Sequence, residues 1–198
     1  MPAAAEMASL IRRLRESDPA TRTEAATQIF ERGVNLARAA TAKWFVDPEL
    51  ADCFVGSTRG FPKTTVGVAI RPEAFERIRA ASGSPRLADV PPDQDAKEFE
   101  LDFPGGVQLD LLTTREPGGT GAIARYLRKS GEGIQQVELY VRDVERTTEV
   151  LRRRFGLTPV YPTVRAGADG ARVNFFLVPA GPESKVLIEL VEAANRSS

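Results

Sequence analysis

"GEGIQQVELYV", residues 131–141, joins a glycine turn to an alternating strand, Ile134 to Val141. Val137, Leu139 and Val141 fall on one side of that strand, Gln136 and Glu138 on the other. Working outward, "AIARYLRKSG" before it reads as a helix. "RDVERTTEVLRRRFG" after it reads as a second helix, with Val144, Thr148, Leu151 and Phe155 on one stripe. "ARVNFFLV" and "SKVLIELVE" then read as paired strands. The same order stands earlier in the chain. "TTVGVAI" is a strand, "RPEAFERIRAASG" a helix ending near Gly83, and "KEFELDF" and "VQLDLLTT" are strands joined by the tight "PGG" turn. Thr65 and Gln136 occupy matching places 71 positions apart, and Asp110 and Glu189 match 79 apart. The longer second loop, "YPTVRAGADG", absorbs the difference. The pattern is an internal duplication: strand, helix, then a hairpin with a weaker edge strand before it.

Residues 1–60 form a different region, expected to be a helical extension. "AAAEMASLIRRLRES" sets Met7, Leu10 and Leu14 on one face. Two further helices open on Asp18–Pro19 and Asp47–Pro48, pairs suited to an N-cap and a first helical position. "GSTRGFPK" serves as a linker. Residues 61–198 then make the two-module domain, with modules at about 64–114 and 134–192. The apolar positions of the extension, Leu10, Leu14, Ile29, Phe30, Leu36, Trp44 and Phe45, are too many for a disordered tail.

Composition narrows the function. The 27 basic and 27 acidic side chains cancel, so no global field favours nucleic acid or an anionic membrane. Apolar runs such as "VNFFLVPA" are far short of the roughly 20 residues of a membrane helix. Glu6 interrupts the first residues before any long apolar core, which argues against a secretory signal. Cys53 is the single cysteine, which fits a reducing compartment, and the expected location is cytoplasmic. Histidine is absent altogether. That removes Ser–His and Cys–His nucleophiles and all imidazole metal ligands. Acid–base chemistry falls to carboxylates, lysine or tyrosine, and any metal to oxygen ligands.

Strand alternation sorts each module into two faces. Val66, Val68, Ile70, Phe99, Leu101 and Phe103 are expected on the helix side. Thr65, Glu98, Glu100, Asp102, Gln108, Asp110, Gln136, Glu138, Asn174 and Glu189 are expected opposite them. Such a face is either solvated or, on a curved sheet, a polar cup.

The run from Gly119 to Glu192, with its "SGEGI" turn and "VLIELVE" strand, resembles the second half of methylmalonyl-CoA epimerases. These belong to the vicinal oxygen chelate superfamily, with glyoxalase I, extradiol dioxygenases and bleomycin-resistance proteins. "TTVGVAI" and "VQLDLLTT" resemble the first half more weakly. The resemblance implies an α+β fold of paired βαβββ modules forming a cupped sheet around a metal. It places the ligand positions at Thr65, Asp110, Gln136 and Glu189, and it implies proton-transferring carboxylates at Glu189 and at Glu98 or Glu100. Epimerases of this kind carry histidine where Thr65 and Gln136 stand, so Gln135 and Gln136 replace a pair of histidines. A hard divalent cation of the Mg, Mn or Ca type, weakly held by Asp110, Gln136 and Glu189, or no metal at all, is what such corners accommodate.

Two functions lead, with a third beside them. One is an isomerase or lyase moving a proton beside the carbonyl of a small acyl substrate. Gln136, Gln108, Asn174, Arg172 and Tyr140 would then contact the substrate, with Gln136, Asn174 or Arg172 steadying the enolate. The other is a small-molecule-binding or resistance-type protein using the same cup without catalysis. A scaffold role for the helical extension is a third. The modules pair within one chain or, by exchange, across a homodimer.

Overall fold

The computed structural model describes residues 2–58, 61–181 and 184–194, which leaves Arg59 and Gly60 of the expected linker outside the described residues. Three helices come first: α1 (Pro2–Arg13), α2 (Pro19–Thr41) and α3 (Pro48–Ala51). Two short strands follow, β1 (Ser57–Thr58) and β2 (Phe61–Pro62). The first module is β3 (Thr64–Ala69), α4 (Pro72–Ala81), β4 (Ala96–Phe103) and β5 (Val107–Thr114), and α5 (Ala122–Ser130) bridges to the second. The second is β6 (Gly133–Tyr140), α6 (Val144–Phe155), β7 (Arg165–Ala166), β8 (Arg172–Pro179) and β9 (Lys185–Glu192). The α+β class, the helical start and the repeated strand–helix–hairpin order are all present. Among the described residues no helix is long and apolar enough to cross a membrane.

The chain forms two compact units, residues 1–33 with 65–135 and residues 34–64 with 136–198. In the first, β5 lies between β4 and β3, antiparallel to β4 and parallel to β3. Phe75 of α4 meets Phe99 of β4 edge-to-face, ring centroids 4.7 Å apart, so the expected helix side is the core side. α2 lies against the same side. A Cβ on Gly33 would stand 2.6 Å from both Cγ atoms of Val66, a spacing only glycine allows. Arg22 of α2 donates to the Ala81 carbonyl at the end of α4, 2.7 Å away, and Arg32 pairs with Glu6 of α1 at 2.6 Å. The beginning of the extension thus packs on the helical layer of this unit.

In the second unit β9 lies between β6 and β8, parallel to β6 and antiparallel to β8, and β7 edges β8. Asp143 caps α6 by accepting from the Arg146 amide at 2.8 Å, and Gly156 ends it in a left-handed conformation. The rest of the extension belongs here. Phe45 makes edge-to-face contacts with Phe54 and Phe61, and Cys53 is buried with its thiol on the Glu49 carbonyl. Asp47 caps α3 and receives Arg154 of α6 at 2.6 Å.

One module departs from its expected form. The second has its weak edge strand, β7, whereas among the described residues the first has no strand between α4 and β4, and the segment there reaches β4 through the Ala88 amide, which donates to the Glu98 carbonyl. Pro85, Pro91 and Pro92 punctuate that segment, and proline supplies no N–H for a ladder.

Candidate functional site

Register decides which side chains share a face, since directly paired residues point the same way. In the first unit Asp110 is paired with Glu100 on one side and Gly67 on the other. Glu98 is paired with Leu112, and Asp102 with Gln108. Thr65, two residues before Gly67, shares that face by alternation. Asp110 and Thr65 are buried, Glu98 is half-buried and Glu100 is exposed. Gln108 donates its side-chain amide to Asp102 at 2.8 Å near the hairpin end.

In the second unit the corresponding row is Glu138, Glu189 and Phe175, across β6, β9 and β8. Gln136 and Tyr140 share this face by alternation with Glu138. Gln136 donates its side-chain nitrogen to Glu189 Oε2 at 2.5 Å and to Glu138 Oε1 at 3.3 Å. All three residues are buried, at 8%, 7% and 8% exposure, which makes this a desolvated polar group. An amide between two carboxylates supplies donors where like charges would otherwise stand side by side. Tyr140 carries the Lys63 ammonium 4.0 Å from its ring centroid. The structure thereby draws in two residues that the sequence had not marked as site members, Glu138 and Lys63. Alternation put Glu138 on the right face, but its contact with Gln136 is tertiary. Lys63 arrives because its carbonyl accepts from the Tyr140 amide.

Two expected substrate contacts lie elsewhere. Asn174 is paired with Leu190, not with Glu189, so it belongs to the opposite face. There it is fully buried, and its amide nitrogen lies 3.5 Å from the Thr148 hydroxyl of α6. Arg172 shares that side, bridging Glu192 at 3.1 Å and Glu145 of α6. The polar-face placement of Asn174 is corrected by the β8 register. The run "RVNFFLVP" is apolar at 173 and from 175 through 178, so alternation alone does not set its phase.

The chemistry of the donors tests whether a family-type metal fits. The four ligand positions implied by the resemblance hold a hydroxyl, a carboxylate, an amide and a carboxylate, with no imidazole in the chain. Gln136 turns its nitrogen, not its oxygen, toward Glu189. A donor N–H₂ committed to carboxylates is not a ligand, and neither an amide so engaged nor a threonine hydroxyl suits a transition metal. Among the described residues, one trio of acidic groups is close enough to hold an ion: Asp143, Glu145 and Glu192. Each is already engaged, Asp143 as the α6 cap, Glu192 by the Val144 amide, and Glu145 and Glu192 by Arg172.

With this geometry in hand, comparison with solved structures is decisive. The methylmalonyl-CoA epimerase of Mycobacterium tuberculosis superposes with a TM-score of 0.54 at 33% identity, covering 67% of this chain and 87% of that one. The chain belongs to the vicinal oxygen chelate superfamily. A single-site variant of the Streptomyces coelicolor methylmalonyl-CoA epimerase, in complex with 2-nitronate-propionyl-CoA, matches with a TM-score of 0.52 at 27% identity, over 66% of this chain and 93% of that one. A hypothetical protein of Bacillus halodurans, at 24% identity and a TM-score of 0.53, shares the fold over 68% of this chain and 95% of its own. No protein-family model matches this superfamily member, and neither does any curated protein.

Proposed function

We propose that this protein is an epimerase-like enzyme that moves a proton at the carbon beside a carbonyl, acting on a small acyl thioester without a transition metal. A carboxylate takes the proton from that carbon. The C–H electron pair delocalises into the carbonyl to give an enolate, and a carboxyl group returns a proton to the same carbon. The observation that carries this reading is Glu189, a buried carboxylate in the apolar run "VLIELV", held on the polar face by the Gln136 amide. The 33% identity to a methylmalonyl-CoA epimerase supports the reaction class, and the acyl-CoA complex of a second epimerase supports the choice of thioester.

Solvent deuterium entering the α-carbon of a panel of 2-methyl-branched acyl-CoAs tests the proposal. The wild-type protein should catalyse exchange with or without EDTA. Glu189→Gln should lower the rate by about 10²-fold or more, the range general acid–base groups contribute. Exchange at the same rate in Glu189→Gln would remove Glu189 from the mechanism. A second reading, ligand binding without turnover, is favoured by the amide and hydroxyl that stand at two of the family's four ligand positions. Acyl-CoAs that raise the melting temperature yet never exchange their α-proton would establish it.

A further inference from the structure

The contacts of Gln136 deepen the proton-transfer reading above, on which this inference rests. We propose that Gln136 and Glu138 are positioning residues. The Gln136 amide fixes the Glu189 carboxylate in the way a bound metal fixes a ligand, and Glu138 fixes the amide.

Three observations combine. Glu138 and Glu189 are directly paired across parallel β6 and β9, so the two carboxylates stand side by side on one face. Gln136, two residues before Glu138, shares that face and bonds to both, at 2.5 Å to Glu189 and 3.3 Å to Glu138. All three side chains are more than nine-tenths buried, so these contacts are not loosened by bulk water. A primary amide carries two N–H groups, and two carboxylates consume both. The planar amide then cannot turn about its last bond without losing a donor contact to a buried charge. A glutamate side chain has three rotatable bonds, and the amide removes that freedom at the carboxylate. In the first module the position matching Glu138 is Gly67, which is paired with Asp110. The clamp is therefore a property of the second module and not a general feature of the duplicated fold.

A residue that merely filled space at 138 would tolerate any side chain of similar shape. A positioning residue requires an acceptor. Glu138→Leu should therefore lower kcat for α-proton exchange by about 10²-fold, the cost of a misplacement near 1 Å. KM should move by less than about twofold, because the ground-state contacts are untouched. Glu138→Gln, whose carbonyl oxygen still accepts from Gln136, should recover most of the rate. The second readout needs no turnover. In ¹⁵N-labelled protein the Gln136 side-chain amide protons should resonate downfield of the other glutamine side chains. They should move upfield in both Glu138→Leu and Glu189→Leu. Dialysis against EDTA should leave the rate, the melting temperature and these resonances unchanged. An unaltered kcat in folded Glu138→Leu, resonances indifferent to both leucine variants, or loss of activity on chelation would each overturn the proposal. If no acyl-CoA exchanges in the wild type, the functional reading fails, and the amide resonances alone decide the clamp. If Glu138→Leu does not fold, Glu138→Gln and Glu189→Leu carry the same comparison.

Discussion

Gln135 and Gln136 are neighbours in the sequence and opposites in the fold. Gln136 shares the Glu138 face, where its nitrogen meets two carboxylates. Gln135, one position earlier, points to the other side by alternation, and its carbonyl oxygen is sealed from solvent with no hydrogen-bond partner among the described residues. An acceptor buried without a donor costs about 1–3 kcal/mol. Gln135→Met keeps the length of the side chain and removes that acceptor, so it should raise stability by about 1 kcal/mol. Urea denaturation reads this directly, and a lowered midpoint would show that Gln135 is paired in solution. Alternation also made Gln136 legible on the polar side of its strand, because Val137, Leu139 and Val141 fix the phase, whereas Glu189, inside the continuous run "VLIELV", was legible through its match to Asp110. Alternation failed at Asn174, where consecutive apolar residues in β8 hide the phase and pairing with β9 decides it. The hydrogen bond from Gln136 to Glu189 joins residues 53 apart in sequence, and no local pattern encodes it.

Among the elements, the helices were the most legible, since their starts are written in capping residues. Asp18 accepts from the Thr21 amide at 2.9 Å, and Asp47 accepts from Glu49 and Leu50, as Asp–Pro starts imply. What the sequence does not show is that the Asp47 cap is also the socket for α6. Burial pushes the Asp47 carboxyl up. The Arg154 side chain and the Leu50 and Glu49 amides outweigh that, and hold it below its ordinary value of 3.8. A carboxyl lowered in the folded state contributes stability above its unfolded pKa, and that contribution is lost as pH falls through the folded value. Stability should therefore decline below about pH 4. In Asp47→Asn the acid limb of the stability–pH curve should flatten and neutral stability should fall. Parallel acid limbs in the two proteins would assign the acid sensitivity elsewhere. The contact of α2 with β3 is equally specific. Gly33→Ala would drive a methyl to 2.6 Å from both Val66 Cγ atoms, and overpacking of this kind costs about 1–3 kcal/mol. Val66→Ala in the same chain should return part of the loss.

At the scale of the whole molecule, the duplication read from the sequence is present in the register. Val66 pairs with Leu109 and Val137 with Ile188, so first strands 71 apart and last strands 79 apart hold the same relation in both modules. That was legible because strand, helix and hairpin repeat in order with their apolar phase intact. The course of the helical extension was not, since amphipathic helices declare an apolar face without naming what covers it. The structure divides the extension after Gly33, and each part packs within a different compact unit. Leu10, Ile11, Leu14 and Ile29 are all buried within the first unit. At about 1.5–3 kcal/mol for each fully buried aliphatic side chain, these four contribute about 6–12 kcal/mol. Domains of ordinary size are stable by about 5–15 kcal/mol in total. The helices up to Gly33 therefore account for much of the margin that keeps the first module folded. Deleting residues 1–33 should yield a protein that aggregates or lacks a cooperative thermal transition. In the full-length chain, limited trypsin digestion should spare the many arginines of α1 and α2 until global unfolding. A truncated protein that melts cooperatively at the full-length temperature would show that the first module folds without these helices.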